Sequence, residues 1–120
     1  MISFIKSVRY ALDGLFSALK TERNLRIHFI AVFIALAMGF YLKLSLMEWG
    51  VIVLAIGFVL VAELFNTAME RLGDEASNGA QKKLIKKAKD IAAAGVLLSA
   101  ITALIIGVLF LIIPLVQSFR

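Results

Sequence analysis

Residues 27–46 run apolar apart from His28, Lys43 and Ser45. Twenty helical residues span roughly 30 Å, the thickness of a bilayer's hydrocarbon. A second apolar run, Trp49 to Ala62, follows almost at once and continues into a polar series. It predicts a span over about 47–70, reached through a short turn near Leu44–Glu48. A third apolar stretch begins after Asp90 and predicts a span over about 91–116. Residues 2–20 carry a different pattern. Ile5, Val8, Leu12, Leu15, Phe16 and Leu19 recur at helical spacing, with Lys6, Arg9, Asp13 and Lys20 on the other side. Such a helix lies in a membrane surface, apolar face down. The expected fold is all-α: an integral membrane protein with three transmembrane helices and an N-terminal amphipathic surface helix. Together they form one helical bundle over residues 1–120.

Within these segments the pattern carries further detail. Tyr41 and Trp49 suit an interfacial aromatic belt, and Lys43 a side chain that reaches outward from a span. Gly95, Ser99, Ala103 and Gly107 recur every fourth residue in the third span, a small-residue stripe that lets backbones approach closely in lipid. That stripe serves packing within the chain or between subunits. Pro114 sits near the far end of the span, where little disturbance is expected.

Composition sharpens the class. The chain has 120 residues, 62% of them hydrophobic, and a mean hydropathy of +0.97, values of a membrane protein rather than a soluble one. With no cysteine, thiolate chemistry and disulfides are excluded. The net charge of +5 does not point to nucleic acid, because the cations are segregated. Of 13 Lys and Arg, five fall in residues 1–26 and six in 71–90. Loops rich in Lys and Arg stay in the cytoplasm. The N-terminus and the 71–90 segment are therefore expected inside, in a plasma membrane, with the 44–48 turn and the C-terminus outside. A signal peptide is not expected, since no unbroken apolar region of the needed length follows the first charges.

The chemistry gathers where the second span leaves the membrane. Glu63, Asn66, Glu70 and Asp74 are spaced three, four and four apart and share one helix face. An ionisable group at membrane depth is costly and marks a functional site. Glu63 lies seven residues from Glu70, roughly 10 Å deeper along a helix. A carboxylate there suits a general base acting on a lipid's hydroxyl, and Asn66 suits orientation of either group. Glu22, at the same level as Glu70 but from another segment, makes with it a pair of hard oxygen ligands for Mg²⁺. Lys82, Lys83, Lys86, Lys87 and Lys89 add positive charge for a polyphosphate, although lysines beside a membrane mostly attract anionic lipid. Base, metal ligands and lysines are the parts of a phosphoryl-transfer site. No Walker A motif accompanies them: Gly73 and Gly79 frame a loop before Lys82, but the spacing is wrong and no Ser or Thr follows. His28, the single histidine, reads as an interfacial hydrogen-bonding residue.

The run Glu63-Leu64-Phe65-Asn66-Thr67-Ala68-Met69-Glu70, followed by Asp74 and Lys87-Ala88-Lys89-Asp90, resembles the signature of the prokaryotic diacylglycerol kinase family. Thr21-Glu22-Arg23-Asn24-Leu25-Arg26-Ile27-His28 resembles the segment before that family's first span. The resemblance covers nearly the whole chain. It implies a three-span lipid kinase working as a homotrimer with ATP and Mg²⁺, its active site at the cytoplasmic face. It implies Glu63 as the base, Glu22 and Glu70 as metal ligands, and Lys89 on phosphate. Asn66, Asp74 and Asp90 match other active-site positions, and Lys6 and Tyr10 fall where nucleotide contacts are expected. The 75–83 loop departs from many relatives in lacking an aromatic, so no nucleotide contact is expected from it. Several positions look more like the Gram-positive branch, where undecaprenol is the usual substrate; diacylglycerol is the alternative. A proton-coupled transporter and a non-enzymatic or pore-forming membrane protein are the readings of another class. The first usually shows four spans, and the second does not need four polar groups on one face.

Overall fold

The computed structural model describes residues 2–77 and 82–120. Its elements are all helical: α1 (Ile2–Thr21), α2 (Arg23–Leu42), α3 (Leu46–Ala76), α4 (Lys82–Gly107), a π-helical turn (Val108–Ile112) and α5 (Ile113–Ser118). Three helical stretches are long and apolar enough to cross a membrane: Arg23–Leu42, Leu46–Ala76 and Lys82–Ser118.

The α2–α3 connection is tighter than the apolar run suggests. α2 stops at Leu42, and Lys43 takes a left-handed conformation at φ 55°, ψ 53°. The Lys43 N–H bonds the Phe40 carbonyl and the Leu44 N–H bonds that of Gly39, the paired bonds of a Schellman motif. Lys43, expected inside a span, thus sits in the turn, because the backbone needs a left-handed residue there to satisfy α2's last carbonyls. Ser45 then opens α3 with a capping box: its Oγ accepts from the Glu48 N–H, and Glu48 Oε1 accepts from the Ser45 N–H at 2.9 Å. Trp49 packs closely against α2 because Gly39 has no side chain; a Cβ there would stand 2.5 Å from the indole. The Phe40 ring meets the indole with centroids 4.9 Å apart.

At 31 residues α3 is about 46 Å long, more than the hydrocarbon requires. It carries the whole polar series in unbroken helix to Ala76, where the Ser77 N–H bonds the Gly73 carbonyl. Gly73, read from sequence as one side of a loop, is therefore a buried helical residue. Its role is proximity: an added Cβ would meet Ile85 Cγ2 at 3.1 Å and Lys89 Cδ at 3.4 Å. Residues 78–81, including Gly79 and the centre of the 75–83 loop, lie outside the described residues. Beyond them α4 begins at Lys82, so the basic cluster is helical and continuous with the third span.

The interior inverts the soluble pattern. Buried apolar residues are few (Ala18, Leu25, Ile52, Ala55, Val59 and Leu111), while Phe33, Leu54, Leu104 and many others face outward. Glu63, Asn66, Thr67 and Ser99 are buried instead. α3 packs most extensively on α4. The small-residue stripe divides: Ser99 is fully buried, its hydroxyl on the Val96 carbonyl at 2.7 Å, whereas nothing approaches Gly95 or Gly107. Pro114 disturbs the third span more than expected. Its ring lacks an N–H and crowds the carbonyl four residues back, and a π-helical turn precedes it, with the Ile113 N–H reaching the Val108 carbonyl.

Candidate active site

Glu63 is 2% exposed, midway along α3, and Asn66 and Thr67 are buried one turn on. Glu63 Oε2, Asn66 Oδ1 and Thr67 Oγ1 have no hydrogen-bond partner among the described residues. Leaving a buried polar atom unpaired costs about 1–3 kcal/mol each. Three on adjacent turns mark a place arranged for something other than stability.

α2 descends and α3 returns, so equal steps from the surface bring residues to equal depth. Glu22 and Glu70 form the upper level. Six residues below Glu22 lies His28, and seven below Glu70 lies Glu63. His28 Nε2 stands 3.4 Å from Glu63 Oε2. One chain thus brings His28 to Glu63, with Glu22 and Glu70 about two turns above them on the same helices. The sequence marks His28 as an interfacial hydrogen-bonding residue but does not name its partner. The antiparallel spacing that identifies it becomes usable once the turn position is known.

Glu22 breaks the α1–α2 helix with extended backbone, φ −105° and ψ 110°, and its N–H bonds the Ala18 carbonyl at 2.8 Å. Its carboxylate makes no cap bond to the N-terminus of α2. Arg71, one residue beyond Glu70, holds α1 from below. It donates to Ser17 Oγ at 3.1 Å, to the Ser17 carbonyl at 3.4 Å and to Thr21 Oγ1. Arg26 adds a bond to the Lys20 carbonyl at 3.2 Å. Arg71 and Ser17 have no signature in the sequence, because a surface Arg beside a motif shows nothing until the helices are placed.

On α4, Lys89 Nζ meets Asp74 Oδ1 at 2.5 Å. Asp90 pairs with Lys86 at 2.7 Å, an exposed contact within one helix turn. Lys6 and Tyr10 are exposed on α1, and no hydrogen bond joins either to α2, α3 or α4 among the described residues. The structure thus gathers Glu22, Glu63, Asn66, Glu70, Asp74 and Lys89 around the α2–α3–α4 end. It leaves Lys6 and Tyr10 apart.

Below His28 an apolar groove of about 400 Å³ runs between α2, α3, α4 and the π-helical turn. Ala31, Ala35, Ile52, Val59, Ala103 and Leu111 are among the side chains that line it, and His28 is its one polar lining residue.

Among the described residues no three His, Asp or Glu side chains form a metal cage. Glu22 and Glu70 nevertheless fit a hydrated hard cation. Both are half-buried, and neither pairs with a Lys or Arg among the described residues.

The sequence matches the prokaryotic diacylglycerol kinase family over residues 9–111. It is 40% identical over 106 residues to an undecaprenol kinase of Bacillus subtilis (strain 168), covering 88% of this chain and 85% of that one. It is 37% identical over 115 residues to a diacylglycerol kinase of Synechocystis sp. (strain PCC 6803), covering 96% of this chain and 66% of that one. A diacylglycerol kinase of Helicobacter pylori (strain 26695) is 32% identical over 96 residues, 80% of this chain and 74% of that one.

Proposed function

This chain belongs to the prokaryotic diacylglycerol kinase family, and we propose that it transfers the γ-phosphate of ATP to the hydroxyl of undecaprenol, with diacylglycerol as the alternative lipid. The observation that carries the reading is Glu63: a buried carboxylate beside His28, the residue that caps an apolar groove. A groove lined by apolar side chains below His28 suits a hydrocarbon tail, and the carboxylate beside that histidine would meet the tail's terminal hydroxyl.

In the transfer, Glu63 accepts the hydroxyl proton as the lipid oxygen forms its bond to the γ-phosphorus. The bond from that phosphorus to the β–γ bridging oxygen breaks, and its electron pair leaves with ADP. Asn66, one turn nearer the water, orients the hydroxyl or the γ-phosphate. Lys89, aimed by Asp74, binds phosphate oxygens, and Asp90 restrains the neighbouring lysine. Glu22 and Glu70 would hold Mg²⁺, which supplies charge neutralisation on the polyphosphate. Lys6 and Tyr10 reach the nucleotide from α1.

The wider arrangement follows from charge and packing. α1 lies in the interface, the N-terminus and the α3–α4 connection face the cytoplasm of a bacterial plasma membrane, and Arg120 lies outside. The uncovered Gly95 supports self-association as a homotrimer.

The test is transfer of labelled γ-phosphate from ATP to a panel of lipid alcohols in mixed micelles, with Mg²⁺ added or chelated. Labelled lipid phosphate that requires Mg²⁺ and vanishes in Glu63→Gln bears the reading out. ATP hydrolysis indifferent to added lipid sinks it.

A further inference from the structure

The structure assigns His28 as the positioning residue of the transfer: its Nε2–H holds one oxygen of Glu63, so that the other faces the lipid hydroxyl in the groove. The inference rests on the kinase reading above and goes beyond it, since the base assignment alone gives His28 no part in the transfer. Three observations carry it. His28 Nε2 is 3.4 Å from Glu63 Oε2, and no Lys or Arg lies within 4 Å of that carboxylate among the described residues. Oε2 is otherwise without a partner in a side chain that is 2% exposed. The same histidine is the polar cap of the apolar groove, touching base and tail site at once.

Depth makes the contact specific. The pair sits two turns below the Glu22–Glu70 level, where little water is at hand to hydrate a carboxylate. A buried carboxylate with one oxygen unheld rotates about its terminal bond, and a base that rotates loses the alignment on which proton abstraction depends. A donor at Oε2 removes that freedom and leaves Oε1 as the acceptor. Catalytic hydrogen bonds are often long before the substrate arrives and tighten in the reacting complex, as 3.4 Å here allows. The ring, 24% exposed, can close that distance without unpacking the Glu63 side of the contact.

The test compares His28→Leu and His28→Gln, assayed with ATP and undecaprenol in mixed micelles. Glutamine keeps an N–H donor at similar reach; leucine keeps bulk without a donor. His28→Leu should lower kcat about tenfold or more with the KM for ATP unchanged, while His28→Gln recovers most of the loss. A normal kcat in His28→Leu overturns the assignment. So does an equal loss in both variants, or a loss accompanied by a raised KM for ATP, because either marks a purely structural role. Wild-type protein without lipid-dependent transfer would instead remove the kinase reading itself.

Discussion

Lys89 on α4 meets Asp74 on α3 at 2.5 Å, across the place where Gly73 lets the two helices close. The Asp74 side chain is 70% exposed and that of Lys89 33%, which decides what the pair is for. An exposed ion pair contributes about 0–1 kcal/mol to stability. Its value is to hold a flexible lysine in one direction.

Lys89→Ala should therefore shift the thermal midpoint by no more than a few degrees while raising the KM for ATP about tenfold, the cost of one charge-assisted phosphate bond. Asp74→Asn should raise the same KM by less, since the lysine remains but is no longer aimed. Thermal unfolding in micelles and nucleotide titrations read the two effects separately. A large loss of stability with an unchanged KM would make the pair structural.

The carboxylates should separate by role. Glu63→Gln should abolish phosphoryl transfer and leave Mg-nucleotide binding largely intact, because a base is needed only for the chemical step. Glu22→Gln and Glu70→Gln should weaken metal-dependent nucleotide binding as well. Nucleotide binding measured by calorimetry on each variant, beside turnover, distinguishes the patterns. Near-normal turnover in Glu63→Gln would remove it as the base.

Arg71 ties α3 to α1 through Ser17 and Thr21. Arg71→Ala should loosen α1 and with it the backbone that presents Glu22, so tryptic cleavage after Lys20 should speed up and the KM for ATP should rise. Arg71→Lys should rescue little, because one ammonium cannot replace a planar fork that reaches two side chains and a carbonyl. Equal cleavage rates in wild type and Arg71→Ala would show that α1 is held by other means.

The single tryptophan reports on the α2–α3 turn. In Gly39→Ala the new methyl would stand 2.5 Å from the Trp49 indole, and a rigid ring must move to admit it. The expected cost is about 1–3 kcal/mol, with a changed Trp49 emission. Gly50→Ala, which meets nothing within 4 Å, should leave emission and stability close to wild type. Unchanged emission in Gly39→Ala would mean that the turn is packed differently.

The contrast between Gly39 and His28 shows what the sequence made legible. Apolar runs of span length and a 3-4-4 polar spacing depend on one helix at a time, so the three spans and the Glu63–Asn66–Glu70–Asp74 face could be read from residues alone. The fit of Gly39 to Trp49, of Gly73 to Ile85 and of His28 to Glu63 depends on two helices in fixed register. For Gly39–Trp49 and His28–Glu63 that register is set by a turn at Lys43, and Lys is not the residue a left-handed position advertises. The π-helical turn before Pro114 escaped for a related reason: the proline was visible, but its strain is relieved upstream, in the wall of the groove.

The choice of lipid turns on what the groove lacks. Undecaprenol and diacylglycerol both offer a primary hydroxyl, so a base at Glu63 would not discriminate between them. They differ just below it. Diacylglycerol carries two ester groups beside its hydroxyl, whereas a polyprenol is hydrocarbon from the first double bond onward. Below His28 the groove offers alanine, valine, isoleucine, leucine and methionine side chains and no hydrogen-bond donor. Placing esters there removes them from water without replacement, at roughly 0.5–2 kcal/mol for each group on scales that allow partial compensation. An apolar site rejects an added polar group only modestly, so the preference should be about tenfold to a hundredfold rather than absolute. Side-by-side turnover at matched mole fractions in mixed micelles should give the higher kcat/KM for undecaprenol. Adding a donor to the wall with Ala35→Ser should narrow the gap by improving diacylglycerol. A higher kcat/KM for diacylglycerol in the wild type would overturn the choice of lipid and leave the phosphoryl-transfer site as described.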